Sequence, residues 1–338
     1  MSLQRISDIG EKRLIAEFVH PFFNSSDELG GVGDDCAMLE APNDELWLFS
    51  TDRVPADLIS FRLGILNYAG LGRYLSRLNI SDIAACGGEP LALLLNLGLP
   101  NTLAYEDFKA LCQGFKEVAE KHGCKVLGGD ISSSSEISIS ATSIGKVKKA
   151  YVLSRRGAEK GDTIFISRPL GITPAAFAYY LRCNKDTVDL SVEEVSELDG
   201  QFTSLEPLVS LGINLSSSGN CSSCMDNTDG VGQSFRELSV ASKAKFLLKQ
   251  ENINIPKIVI KIADNLKEDP LELAFSAGAD FSLVGTLKGQ WTQKQAADQF
   301  GEGLQVIGRV EDGEGVFIET GGEIMPMAFS GWNYFYNK

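Results

Sequence analysis

Apolar positions in the first part of the chain follow two alternating periods. Leu14, Ile15, Phe18, Val19 and Phe22 recur at helical spacing over 11–23, with Pro21 marking the end of the regular turns. "ELWLFSTD" (45–52) has strand character and ends in Asp52, and 66–85 has helical character. "LALLLNLGLP" (91–100) has the continuous apolar pattern of a buried strand and is closed by Pro100. The clearest helix spans 105–123, where Phe108, Leu111, Cys112, Phe115, Val118 and Ala119 share one face and Gly123 occupies the C-cap position. "CKVLGGD" (124–130) predicts a strand running into a glycine turn and an aspartate. In "ISISATSIG" (137–145), Ile137, Ile139 and Ala141 alternate with Ser138, Ser140 and Thr142, which predicts a strand with one wet face.

A second block begins near residue 150. A loop leads into a strand over 155–167, helices are predicted at 173–182 and 231–243, and strand signals return at 281–287, 304–310 and 315–319. The acidic, weakly apolar segment 184–200 is expected to be a surface excursion. There is no internal repeat of short fixed period and no low-complexity tract. Alternating strands and helices over 338 residues predict an α/β protein of two domains.

Charge narrows the range of partners. Lys and Arg total 31 against 45 Asp and Glu, a formal net charge of −14. Nucleic acid and anionic membrane are therefore not expected, since both require a basic footprint. Phosphorylated small molecules remain open if divalent cations stand between their phosphates and the protein's carboxylates. No apolar run approaches the ~20 residues of a membrane span, and the N-terminus lacks the pattern of a signal peptide. The seven cysteines are irregularly spaced, as in a reduced, cytoplasmic protein. Cys221 and Cys224 form a lone C-x-x-C, and with only His20 and His122 available they read as ordinary thiols rather than zinc ligands.

The candidate chemistry lies in aspartates that follow apolar or small-residue runs and stand beside Gly, Ser or Thr. They are Asp35 in "GGVGDDCA", Asp52 in "FSTD", Asp82 in "NISDIAACGG", Asp130 in "LGGD", and Asp226 and Asp229 in "MDNTDG". Singly, each reads as an Asx-turn or a helix cap. The repeated signature points instead to strand ends where ligands bind in α/β sheets, and to hard oxygen ligands of the kind Mg²⁺ takes. Of the pair after the glycines, Asp35 is the expected ligand and Asp34 is expected to serve the turn. No phosphate-binding P-loop or nucleophile elbow is present, and with His20 and His122 both in helical settings a Ser-His-Asp or Cys-His arrangement is not expected.

In order along the chain, "GVGDDCAM", "FSTD", "NISDIAACGGEP", "LGLP", "LGGD", "SRRGAEKGD", "MDNTDG", "AGADFSL", "IGRV" and "SGWNYF" resemble the motifs of the thiamine-monophosphate kinase family, in the superfamily of aminoimidazole ribonucleotide synthetase. The resemblance implies a two-domain α/β (α+β) fold: residues 1–148 binding ATP and Mg²⁺ and dimerising as a β-barrel-like sheet, and an α/β domain over 149–338. It implies transfer of the ATP γ-phosphoryl to thiamine monophosphate by a homodimer. Carried over by motif, the metal ligands are Asp35, Ser50, Thr51, Asp52, Asp82, Asp130, Asp226 and Asp229, and the nucleotide contacts are Gly129, Asp130, Arg155 and Thr228. Asp82, Asp130 and Arg155 would carry the catalysis. The acceptor side departs from the family pattern. Ser60-Phe61 stands for His-Phe and Ala279 for the glutamate of "GGEDYEL", while Asp280 is kept and Trp332 is the terminal aromatic. Two other readings stay open: the same chemistry on another small anionic acceptor, and a nucleotide-binding paralogue without turnover.

Overall fold

The computed structural model describes residues 5–6, 9, 11–19 and 33–327. His20, Pro21, Phe22, Gly30, Gly31 and Trp332, on which some of these expectations rest, lie outside the described residues. The first helical segment begins as α1 (Glu11–Leu14) and continues as a π-helical turn over Ile15–Val19.

The next elements are β1 (Ala37–Ala41), β2 (Glu45–Arg53), α2 (Ile59–Arg62), α3 (Tyr68–Ala85), β3 (Glu89–Leu99), α4 (Tyr105–Lys121), β4 (Lys125–Ser133) and β5 (Ser138–Lys148). Their strands form one sheet in the order β1-β2-β5-β3-β4, with β3 and β4 parallel and the other pairs antiparallel. Alternation gives this sheet two unlike faces. Leu46, Leu48, Leu93, Leu97, Ile139 and Ala141 are buried on the face covered by α3 and α4. The other face leaves Leu39, Trp47 and Leu94 exposed. The two covering helices meet at glycines. A Cβ on Gly72 would lie 2.0 Å from the Leu111 carbonyl oxygen, and one on Gly114 would lie 2.0 Å from that of Ala69. Only hydrogen side chains permit so close a crossing.

The second half contains β6 (Thr163–Ile166), α5 (Ile172–Leu181), α6 (Val192–Thr203), α7 (Val209–Ser218), β7 (Cys221–Asp226), α8 (Val231–Ser242), β8 (Lys245–Lys249), α9 (Lys257–Leu266), α10 (Pro270–Phe275), β9 (Leu283–Leu287), α11 (Gln293–Phe300), β10 (Gln305–Glu311), β11 (Gly315–Thr320) and β12 (Glu323–Pro326). They build a seven-stranded sheet in the order β12-β11-β8-β10-β6-β9-β7. Phe235, Phe246, Phe275, Leu238 and Ile262 lie at the centre of its core. Helix α3 packs on β2, β3 and β5 of the first sheet and also on α7 and β7, so one helix joins the two sheets.

Two sequence expectations need correction. Residues 184–200 are not simply a surface excursion, because α6 starts at Val192 behind a capping box between Ser191 and Glu194. Its acidic face is in water, while Leu198 and Phe202 reach the core. The chain also makes no turn at Gly128-Gly129. Strand β4 runs through to Ser133, with Leu127 as an extra residue where the register moves from Val126 opposite Leu93 to Gly128 opposite Leu94. Gly129 has φ +151°, and a Cβ there would lie 1.6 Å from the Leu95 carbonyl oxygen. The glycines thus let the strand continue in close pairing instead of turning it.

Candidate functional site

Carboxylates from three distant segments converge beside α3. Asp35 lies in the bend before β1, Asp82 in the last turn of α3, and Asp226 is the last residue of β7. A carboxylate oxygen from each lies within 4.8 Å of the others, and this is the group among the described residues suited to a metal ion. Asp82 therefore stands on the helix predicted over 66–85, and not at a strand end as the shared aspartate signature suggested. Asp52, near the end of β2, borders the group, and its carboxyl shares a hydrogen bond with that of Asp82. Ser50, two residues earlier on the same face, donates to Asp82 Oδ2 at 2.5 Å.

These acids are buried among one another. Burial raises the Asp35 carboxyl to about 6 despite the nearby Arg155 charge. Burial also pushes Asp82 well above its ordinary range, with the charges of Asp52, Asp226 and Asp35 adding to the effect. Asp226 is raised by burial and then by Asp35, and Asp52 is raised by burial. Asp35 Oδ2 and Asp226 Oδ2 are buried without a hydrogen-bond partner. Converging acids with unsatisfied oxygens fit a hard divalent cation, which would neutralise the repulsion and fill those lone pairs.

Arg155 sits against this group. Its Nη2 donates to Asp35 Oδ1 at 2.7 Å and its Nη1 to Glu237 Oε2, on α8, at 2.5 Å. Burial works against the guanidinium charge, but Asp35 and Glu237 outweigh it and hold the group protonated. Asp34 has a role its motif did not reveal. Its Oδ1 accepts the Arg155 backbone N–H at 2.9 Å and so ties the glycine segment to the arginine loop.

Other expected ligands lie elsewhere. Thr51 is on the opposite face from Ser50 and Asp52, and its hydroxyl donates to the Ala141 carbonyl at 3.0 Å. Its side chain is thereby directed away from the acids. Gly129 and Asp130 are on β4, three strands from β2 and so ~14 Å away. The Leu127 bulge reverses the alternation, so Asp130 pairs beside Asn96 on the open face, away from α3. Thr228 and Asp229 lie in the loop between β7 and α8, two and three residues after Asp226.

The first sheet and its helices match the family model of the AIR synthase related protein, N-terminal domain, over residues 33–147. The thiamine-monophosphate kinase of Archaeoglobus fulgidus is 30% identical over 256 residues, covering 76% of this chain and 75% of that protein. The chain belongs to the thiamine-monophosphate kinase family. The enzyme of Pyrococcus abyssi carries the same name and is 27% identical over 330 residues, covering 96% of this chain and 95% of its own. A solved structure described as AaThiL complexed with AMPPCP and TMP superposes with a TM-score of 0.81 at 25% identity, covering 99% of this chain and all of that one.

Within this thiamine-monophosphate kinase fold, the departures from the family pattern flank the first half of α3. Ser60, on α2, is buried, and its neighbour Phe61 packs edge-on against Tyr68 at 5.2 Å. Tyr74, on α3, meets Phe281 at 5.9 Å. Ala279 and Phe281 both have left-handed backbones, φ +69° and +53°, each costing about 1–2 kcal/mol. Asp280 holds that strained turn. Its Oδ1 accepts from Asn227 Nδ2 at 2.9 Å, the Ser282 backbone N–H at 2.8 Å and the Ser282 hydroxyl at 2.5 Å. Asn227 follows Asp226 directly, so the turn at Ala279–Phe281 is bonded to the acidic group's own strand. No motif marks the contacts of Asn227 and Glu237. The Gln233–Glu237 spacing of one helical turn was the only available signal for Glu237.

Proposed function

We propose that this chain is a Mg²⁺-dependent kinase that moves the γ-phosphoryl of ATP to the phosphate of thiamine monophosphate, giving thiamine diphosphate and ADP. The observation that carries this reading is the trio Asp35, Asp82 and Asp226, with two buried carboxylate oxygens unpartnered. Family membership supplies the acceptor and the nucleotide. Asp35, Asp52, Asp82 and Asp226 would hold the ions, with Ser50 orienting Asp82 and Asp229 completing the set. Bound Mg²⁺ would supply the positive charge that an acidic site needs to accept phosphates. Thr228 and Arg155 would meet the nucleotide at the rim. A phosphate oxygen of the acceptor forms the new bond to the γ-phosphorus as the bond to the β-bridging oxygen breaks. No protein nucleophile takes part, and the chain contributes positioning and a preorganised field.

On this reading the site lies between two domains, 1–148 and 149–338. A homodimer fits the first of them. The face of its sheet opposite α3 and α4 exposes Leu39, Trp47 and Leu94, and the edge strand β4 is exposed along its whole length. Such a face and edge require a cover. Gly129 and Asp130 lie on that strand, so in a dimer they would act where the copies meet. All seven cysteines are free, which suits a reducing cytoplasm, and among the described residues no helix is long and apolar enough to cross a membrane.

Incubation with Mg-ATP and thiamine monophosphate should yield thiamine diphosphate at one ADP per product, as resolved by chromatography. One observation favours a second reading, with a different anionic acceptor: the carboxylate that the family pattern places in the acceptor turn is replaced here by the methyl of Ala279. ADP formation that depends on some other small anion, without thiamine diphosphate, would select that reading.

A further inference from the structure

Arg155 is gripped from four sides. Its backbone N–H is held by Asp34 and its carbonyl accepts from Ser242 Oγ at 3.2 Å, while its guanidinium spans Asp35 and Glu237. Glu237 is itself oriented, because Gln233, one turn earlier on α8, donates to its Oε1 at 2.9 Å. The side chains of Arg155 and Glu237 are each 19% exposed, and that of Asp35 is 1% exposed. The relay Gln233–Glu237–Arg155–Asp35 therefore runs from α8 to one of the converging acids.

We propose that Glu237 is a positioning residue for the acidic site, sharing the Arg155 charge with Asp35 so that Asp35 stays available to a divalent cation. One observation and its electrostatic consequence carry it. Arg155 engages only Oδ1 of Asp35 and leaves Oδ2 buried and unpartnered. Without Glu237 the full arginine charge would bear on Asp35 and compete with the cation for it. With Glu237, an arginine displaced from Asp35 keeps a carboxylate to hold. Outer partners of metal ligands act in this way, fixing both the orientation and the basicity of the group they touch. The inference rests on the cation reading of the site.

The test is direct binding of Mn²⁺, as a Mg²⁺ surrogate, to the metal-free full-length protein, followed by titration calorimetry. Glu237→Gln keeps the side-chain shape and removes the charge, and should weaken Mn²⁺ binding about tenfold. In an Arg155→Gln background the same change should alter affinity less than twofold, because there is no arginine left to share. Glu237→Asp restores the charge at shorter reach and should recover part of the loss. Melting curves of each variant identify any that fail to fold, and the Asp variant then carries the comparison. Equal losses with and without Arg155 would reveal a general charge effect and overturn the proposal, as would unchanged binding in Glu237→Gln. If the unmodified protein bound no Mn²⁺, the cation reading would fall and this proposal with it.

Discussion

On the proposed reading, Asp82 concentrates the conflict between folding and function in one side chain. Its carboxyl is buried, its pKa is raised first by desolvation and then by Asp52, Asp226 and Asp35, and it still receives the Ser50 hydroxyl. Asparagine there keeps the shape and an acceptor for Ser50 but removes the charge. Asp82→Asn should therefore raise the melting temperature of the metal-free protein at neutral pH. It should also lower turnover of thiamine monophosphate by about a hundredfold or more, the scale of losing one preorganised electrostatic group. Turnover within a few fold of the parent enzyme would remove Asp82 from the site. Asp35, Asp52, Asp82 and Asp226 were legible because each follows a small or apolar run, which solvated acids rarely do. Asp130 carries the same local signature and projects the other way. A single extra residue, Leu127, reverses the face it occupies, and a bulge leaves no mark in composition. Asp34 and Glu237 were illegible for a different reason: their partner Arg155 lies 121 and 82 residues away in the chain.

At the level of elements, strongly periodic segments were readable and small-residue segments were not. Helix α4 and strand β5 announce themselves because their apolar positions match one period throughout. Strand β7, "CSSCMD", holds Asp226 yet carries almost no branched or aromatic side chain. Its place is set by pairing with β9 and by burial under α3 and α8. The open face of the first sheet makes its own prediction. Leu94 projects there, 37% exposed, from β3 between β5 and β4. If a second copy covers this face, Leu94→Glu loses apolar burial worth about 1.5–3 kcal/mol per side chain and strands a carboxylate in each half of a symmetric contact. The dimer dissociation constant should rise at least about a hundredfold. Sedimentation should then show a single 36.6 kDa chain where the parent sediments at twice that mass. A parent that is monomeric, or a variant that stays dimeric, would direct the search to another surface.

Across the whole molecule, on the proposed reading, the buried acids make stability depend on pH and on metal together. A carboxyl whose folded pKa lies above its unfolded value binds more protons when folded. Its contribution is complete below the unfolded value and is lost as pH rises through the folded one. For Asp35 that window runs from 3.8 to about 6, and for Asp82 and Asp226, both raised well above 3.8, it extends higher. The Asp35 shift alone corresponds to stability on the order of 3 kcal/mol. Glu206 acts in the opposite direction. Burial works to raise its carboxyl, but hydrogen bonds and charge from His122, Arg77 and Lys121 bring it down to about 2. Its contribution is lost only below its ordinary value of 4.5, outside the range that matters here. The metal-free protein should therefore melt at progressively lower temperature as pH rises from about 5 to about 8. General repulsion from a net charge of −14 slopes the same way. Asp82→Asn separates the two effects, because it barely changes the net charge yet should flatten the slope. Millimolar Mg²⁺ should raise the melting temperature little at pH 5, where protons already occupy the acids, and most at pH 8, where they are vacant and mutually repelling. Equal stabilisation at both ends, or a metal-free curve that rises with pH, would mean that these carboxyls are not held protonated by one another and that no cation relieves them.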